Sequence, residues 1–319
     1  MQVISAAEVI QALDMRRSIE LMKTALIALS SGDVTQMVRP VLPLYDRNLI
    51  GMMPAYYRPG KIAGVKVLSV FPDNYKQSIP SHQGEMLLFE TETGKVKAVV
   101  DADSLTGMRT AAVSATVTDV LARPEAKHLA ILGAGLQGRR HLEAISLVRQ
   151  LEAVTVWDLR PEAAVMYKKE MEEKLGIPVG VCSTVEDATK DADIICTLTP
   201  AQDPILFAKH VKAGTHINAV GACTPTAREL SSDLMAQGKI FVDWKPAVIL
   251  EAGDFLLALQ DGAITEDAIL GEVGQVLAGS LPGRNDAKEI TIFEALGQAI
   301  QDLVMANYVA DMLESKLRR

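Results

Sequence analysis

The feature that most constrains this chain is a change of texture between residues 127 and 145, where KHLAIL runs straight into GAGLQGRRHLEAI. KHLAIL is a short apolar run of the kind that forms a buried parallel strand. Beyond it, Leu142 and Ile145 recur at a helical interval among polar residues. Between strand and helix stand Gly133, Gly135 and Gly138, in G-x-G-x-x-G spacing. Gly133 permits the tight turn, Gly135 lets the backbone approach a pyrophosphate, and Gly138 allows close helix–strand packing. The spacing alone is common, and its setting between strand and helix makes it a dinucleotide fingerprint. The unpaired amides at the helix start would face the phosphates. A second strand, AVTVWD, ends at Asp158, twenty residues beyond Gly138. An acid there accepts hydrogen bonds from the adenosine ribose and repels a 2′-phosphate, which favours NAD(H). Arg160 leaves NADP(H) open, because a nearby arginine accommodates that phosphate.

Residues from about 127 to 290 alternate strand and helix patterns: KHLAILG, AVTVWD, PVGVC, DIICTLT, GTHINAVG and KIFVDW are the strands. Such alternation predicts an α/β unit with a Rossmann-type doubly wound parallel sheet. The texture before it differs. Two short helices open the chain, the first with Ser5 and Glu8 as a capping box and the second capped by Asp14. Strands follow from about Met37 to Asp101 (MVRPVLPLY, LIGMMPAYY, IAGVKVLSVF, GEMLLFE, KVKAVVD), with TETG as a hairpin loop. A long helix capped at Asp103 leads into the glycine motif. The tail from Glu289 to Leu317 reads as one amphipathic helix, with Ile292, Leu296, Ile300 and Leu303 on its apolar face.

The net charge of -8 is spread over interspersed acids and bases, so no basic surface points to nucleic acid. No apolar run approaches the length of a membrane span, and MQVISAAEVIQAL has no positively charged leader. Cys182, Cys196 and Cys223 have neither disulfide arithmetic nor metal-ligand spacing, which suits a reducing, cytoplasmic setting and gives no metal site.

The chemistry is expected from three basic residues in apolar company: Arg39 in MVRPVLPL, Lys66 in IAGVKVLSV and Arg109 in LTGMRTAAVSA. Buried cations need compensation. None has a carboxylate beside it in sequence, which suggests a shared anionic ligand, although long side chains that snorkel to water are the plain alternative. Arginine binds carboxylates bidentately, and a desolvated lysine titrates low enough to transfer protons. His82 is an acid/base or orienting candidate, and neighbouring Ser81 a cofactor contact. Glu251 and Asp254 in LEAGDF read as structural. Cys223 has no basic neighbour in sequence that would make it a thiolate.

GVKVLSVFPDN, PSHQGEMLLFETETGKVKAVVDADSLTGMRTAAVSA, LGAGLQGRRHLEA, HINAVGA, EAGD and GEVGQVLAG together resemble the ornithine cyclodeaminase/mu-crystallin family over essentially the whole chain. The resemblance implies a homodimer whose Rossmann domain (116–289) is inserted into an α+β substrate-binding and dimerisation domain (1–115 with 290–319). It implies that Arg39 and Arg109 bind the substrate carboxylate and that Lys66 is the active-site lysine. Cofactor contacts are implied at Ser81, Thr110, Gly135, Leu136, Gln137, Asp158, Thr197 and Val220. Two departures stand out: Cys223 replaces an aspartate of the cyclodeaminases, and Ala295 stands where a serine is frequent. The expected function is NAD(P)-dependent interconversion of small α-imino and α-amino acids. Cyclodeamination on tightly held NAD is the alternative, and a non-catalytic nucleotide-dependent binding protein is the third reading.

Overall fold

The computed structural model describes residues 1–77 and 79–317. It contains two compact units, one of residues 1–109 with the tail from Gly297, the other Thr110–Leu296.

In the first unit, a mixed sheet joins β1 (Gln2–Ile4), β2 (Val34–Gln36), β3 (Val41–Pro43), β4 (Leu49–Tyr57), β5 (Ile62–Val70), β6 (His82–Glu90) and β7 (Val96–Asp101). Its order is β1-β7-β6-β5-β4-β2, with β3 also on β4; all pairs are antiparallel except β1 with β7. The β6–β7 connection is the expected hairpin, with Gly94 in the left-handed region at φ 70°. Helix α1 (Ala6–Ala12) starts at Ser5, whose amide donates to Glu8 Oε2 at 2.9 Å. Helix α2 (Met15–Ser30) starts at Asp14, whose Oδ1 accepts from the Arg17 amide at 2.8 Å.

Three expectations change here. The run 37–45 is not one strand: Pro40 removes an amide and biases the residue before it, so Arg39 sits in the loop between β2 and β3. Helix α3 (Ala102–Leu121) starts earlier than expected. Its capping carboxylate is Asp101, which accepts from the Ser104 amide at 2.9 Å, and not Asp103. The last helix spans Ala299–Leu317, not Glu289 onward. It packs on β4, β5, β6 and α2, so its apolar face is covered within its own unit.

The second unit holds an eight-stranded parallel sheet of β8 (His128–Leu132), β9 (Ala153–Trp157), β10 (Val179–Val181), β11 (Ile194–Thr197), β12 (His216–Ala219), β13 (Lys239–Val242), β14 (Ile269–Glu272) and β15 (Thr291–Glu294). The order is β10-β9-β8-β11-β12-β15-β13-β14. This is the Rossmann arrangement, with the reversal of strand order between β8 and β11. Strand β15 lies in the stretch expected to be helical. Ile292 and Leu296 fit a four-residue helical interval, but TIFE is completely buried between β12 and β13, and Gly297 at φ 78° separates it from the helix.

Candidate functional site

In the first unit, Lys66 enters from the middle of β5 and Arg109 from α3; only 2% and 8% of their surfaces are exposed. Strand alternation decides the lysine: Ile62, Gly64 and Lys66 share the face that packs against the last helix. That helix supplies the counter-charge, Asp302, which is completely buried. Lys66 Nζ donates to Asp302 Oδ2 at 2.8 Å and to Thr106 Oγ1 at 3.4 Å. Arg109 Nε stands 3.5 Å from Asp302 Oδ1, an ion pair without hydrogen-bond alignment, and its Nη1 donates to Gln301 Oε1 at 3.3 Å. Arg39 Nη2 donates to the Gly297 carbonyl at 3.3 Å. A Cβ on Gly297 would lie 2.4 Å from Arg109 Nη1, so the Arg109 guanidinium fits there because the residue is glycine.

The electrostatics follow from burial. Desolvation lowers the Lys66 pKa, Asp302 raises it and the Arg109 and Arg39 charges lower it, which together leave it at about 8. Burial alone would raise the Asp302 pKa, but Lys66 and Arg109 outweigh it and hold the carboxylate below its usual value. His82 starts β6, and its Nδ1 is 3.0 Å from Ser81 Oγ. Desolvation and the positive charges of Lys66 and Arg39 lower its pKa, which keeps the imidazole neutral at pH 7. Arg39, Lys66, Arg109 and His82 therefore share one electrostatic environment.

In the second unit, β8 passes into Gly133 at φ 112°, Gly135 caps helix α4 (Leu136–Ile145), and Gly138 lies in its first turn. Three glycines meet three different surroundings. A Cβ on Gly133 would lie 2.7 Å from the Leu198 carbonyl, and one on Gly138 2.3 Å from the Gly133 carbonyl. One on Gly135 would meet nothing within 4 Å. The open side of Gly135, next to the unpaired amides of α4, fits a pyrophosphate. Leu136 is exposed and Gln137 half-buried on that turn. Asp158, just after β9, accepts from the Ala134 amide at 2.8 Å and the Arg160 amide at 2.9 Å, and Arg160 Nε stands 3.7 Å away. Each of its oxygens keeps a lone pair for a ribose hydroxyl.

Thr110 is half-buried on α3, Thr197 ends β11 in the core, and Val220 follows β12. The loops after β11 and β12 are tied together by Glu229, which accepts from the Thr199 amide at 2.6 Å and the Gly221 amide at 2.8 Å. Asp254 holds the Glu229 and Leu230 amides, both at 2.8 Å, in a structural role. Burial and the Glu229 charge push its pKa up to about 8. Cys223 Sγ donates to the Val220 carbonyl at 3.3 Å. Among the described residues no group of His, Cys, Asp and Glu is placed to hold a metal, and no helix is long and apolar enough to cross a membrane.

Sequence reasoning missed Asp302, Gln301 and Gly297. The basic trio was expected to share an external anion; part of that anion is the protein's own Asp302, 236 residues from Lys66. A signal was present, because Asp302 interrupts the apolar run AIQDLVMA just as Lys66 interrupts its strand.

The ornithine cyclodeaminase/mu-crystallin family model matches residues 1–317. The chain is 38% identical over 285 residues to ketimine reductase mu-crystallin of Mus musculus, covering 89% of this chain and 87% of that protein. It superposes with a TM-score of 0.96 on the Delta(1)-pyrroline-2-carboxylate reductase of Thermococcus litoralis, solved with NADH and L-proline, at 33% identity over 99% and 98% of the two chains. An archaeal alanine dehydrogenase dimer with bound NAD gives a TM-score of 0.94 at 30% identity, over 99% of this chain and 97% of that one.

Proposed function

The chain belongs to the ornithine cyclodeaminase/mu-crystallin family, and on that footing we propose that it is an NAD(H)-dependent oxidoreductase interconverting α-imino acids (ketimines) and α-amino acids. One observation carries the reading: Lys66 and Arg109 are both buried against a single buried carboxylate, Asp302. Two buried cations facing one buried anion leave positive charge for a substrate carboxylate. Arg109 and Arg39 clamp that carboxylate, since a guanidinium presents its donors in a planar fork that matches it. The ammonium of Lys66 gives the imine nitrogen its proton, and His82 orients the ligand. Bound NADH supplies the hydride. The amides of the Gly133–Gly138 turn hold its pyrophosphate and Asp158 its ribose. Arg160 is already engaged by Asp158, which supports NAD(H) over NADP(H). The relatives solved with NADH and with NAD support the same choice.

Reduction needs one proton at nitrogen, whereas cyclodeamination must also manage protons on an attacking amine and departing ammonia. The loop that would serve them carries Cys223, whose thiol is turned to the Val220 carbonyl. Reduction is therefore the better reading.

The unit of residues 1–109 with the tail acts as substrate and dimerisation domain, and Thr110–Leu296 as the cofactor domain. The dimer is expected through the sheet and not the last helix. Strand alternation turns Val3, Met52 and Val67 away from that helix, and they are 73%, 40% and 37% exposed. Such a bare apolar face suits a second copy, and a monomer mass by light scattering would remove this part. Three free thiols support a reducing compartment such as the cytoplasm.

The test is a panel of cyclic and acyclic imino acids with NADH, followed at the nicotinamide absorbance, with ornithine supplied separately and ammonia measured. Net NADH oxidation with a ketimine is expected. Ammonia release from ornithine without net nicotinamide turnover would overturn the reading in favour of a cyclodeaminase.

A further inference from the structure

We propose that Asp302 is a positioning residue for the reduction: through Lys66 it keeps the proton-donating ammonium charged and oriented, and by charge it holds Arg109 of the carboxylate clamp beside that lysine. The proposal rests on the reading of Lys66 as the acid. The geometry behind it is a count of donors. An ammonium has three protons in rotatable positions. One goes to Asp302 Oδ2 at 2.8 Å and one to Thr106 Oγ1 at 3.4 Å, which leaves the third for a ligand. With two protons anchored, the four-carbon stem loses the freedom that makes lysine a poorly directed donor. Thr106 is itself placed by the same acid, donating to Asp302 Oδ1 at 3.5 Å. One buried carboxylate thus touches the lysine, its second partner and the arginine of the clamp.

Burial also makes the acid necessary. An ammonium with only 3% of its side chain exposed, beside two guanidinium groups, is driven towards the neutral amine. A neutral amine would have no proton to spare for an imine nitrogen. Five groups act on this lysine or respond to it: Asp302 on the last helix, Arg109 and Asp103 on α3, Arg39 in the β2–β3 loop and His82 on β6. Only Asp302 both hydrogen-bonds Lys66 and opposes its charge. Asp103 titrates at about 6, and His82 titrates below its ordinary value. Neither overlaps a step near 8.

The sign follows. Asp302 raises the Lys66 pKa, so removing its charge lowers it below the present value of about 8. Reduction that needs the ammonium should then fail at lower pH. The experiment measures the pH dependence of kcat/KM for ketimine reduction, and separately the pH dependence of Lys66 labelling by a small amine-reactive reagent, read by peptide mass spectrometry. In the unmodified protein both should show a midpoint near 8, rate falling and labelling rising with pH. In Asp302→Asn both midpoints should move down by at least half a pH unit, with the rate reduced more at pH 7.5 than at pH 6. Asp302→Glu keeps the charge, and it should return the midpoints towards the unmodified values even if Asp302→Asn folds poorly. A labelling midpoint that stays put in Asp302→Asn, or shifts equally in Asp302→Glu, would overturn the proposal. A labelling midpoint that moves while the rate profile does not would uphold the hold of Asp302 on Lys66 and instead remove Lys66 as the acid.

Discussion

The glycine turn and the cation cluster are built by opposite routes. The turn is assembled from one stretch, β8 through Asp158, in which each residue's task follows from its immediate neighbours. The cluster gathers Arg39, Lys66, Arg109 and Asp302 from a loop, a strand and two helices. A local site is held by backbone geometry and tolerates change wherever a side chain has room. A gathered site is held by charge, and loss of Asp302 would leave its cations buried and uncompensated. The two should therefore fail differently.

The largest effect is expected in the cluster. Arg39→Met keeps much of the stem and deletes the fork. Ketimine reduction should fall at least a hundredfold, corresponding to about 2.7 kcal/mol of transition-state binding. NADH affinity, measured by fluorescence titration, should stay within about threefold, or about 0.6 kcal/mol, since Arg39 belongs to a different unit from the pyrophosphate turn. Wild-type turnover in this variant would move the clamp elsewhere.

The turn should sort its glycines by space. Gly138→Ala forces a methyl group to within 2.3 Å of the Gly133 carbonyl and should cost about 1–3 kcal/mol of stability, read as a lower Tm. Gly135→Ala meets nothing and has an ordinary φ of -78°, so its Tm should be unchanged. Its methyl group would occupy the pyrophosphate approach, so NADH affinity should drop about tenfold, or about 1.4 kcal/mol. Equal Tm values for the two variants would break the distinction.

The smallest effect belongs to Cys223, which is part of neither. Cys223→Ala removes one weak S–H···O bond to Val220 and no charge-assisted contact, so reduction should stay within about tenfold. Collapse of the rate would give the thiol a part in the chemistry.

Legibility tracked the same division. Gly133, Gly135, Gly138 and Asp158 were readable because sequence spacing is spatial spacing across a strand, a turn and the first turn of a helix. The caps at Ser5 and Asp14 and the β6–β7 hairpin were readable for the same reason. Lys66 and Arg109 were conspicuous as charges in apolar elements, but what compensates them was not.

Periodicity misled in the tail. TIFE and the helix after it carry similar apolar intervals, and only the slot between β12 and β13 makes the first of them a strand. The apolar face of that helix is covered by α2 and the sheet, while Val3, Met52 and Val67 are exposed on the other side of the sheet.

By itself the sequence determined the elements whose hydrogen bonds and packing close within a few tens of residues: the strand–turn–helix fingerprint, the hairpin, the caps and the alternation that specifies a parallel sheet. Only the tertiary structure decided that the last helix returns Asp302 to Lys66 and that the turn before it returns Gly297 to Arg39. A buried charge is compensated by whatever the fold brings within about 4 Å, and distance along the chain says nothing about that.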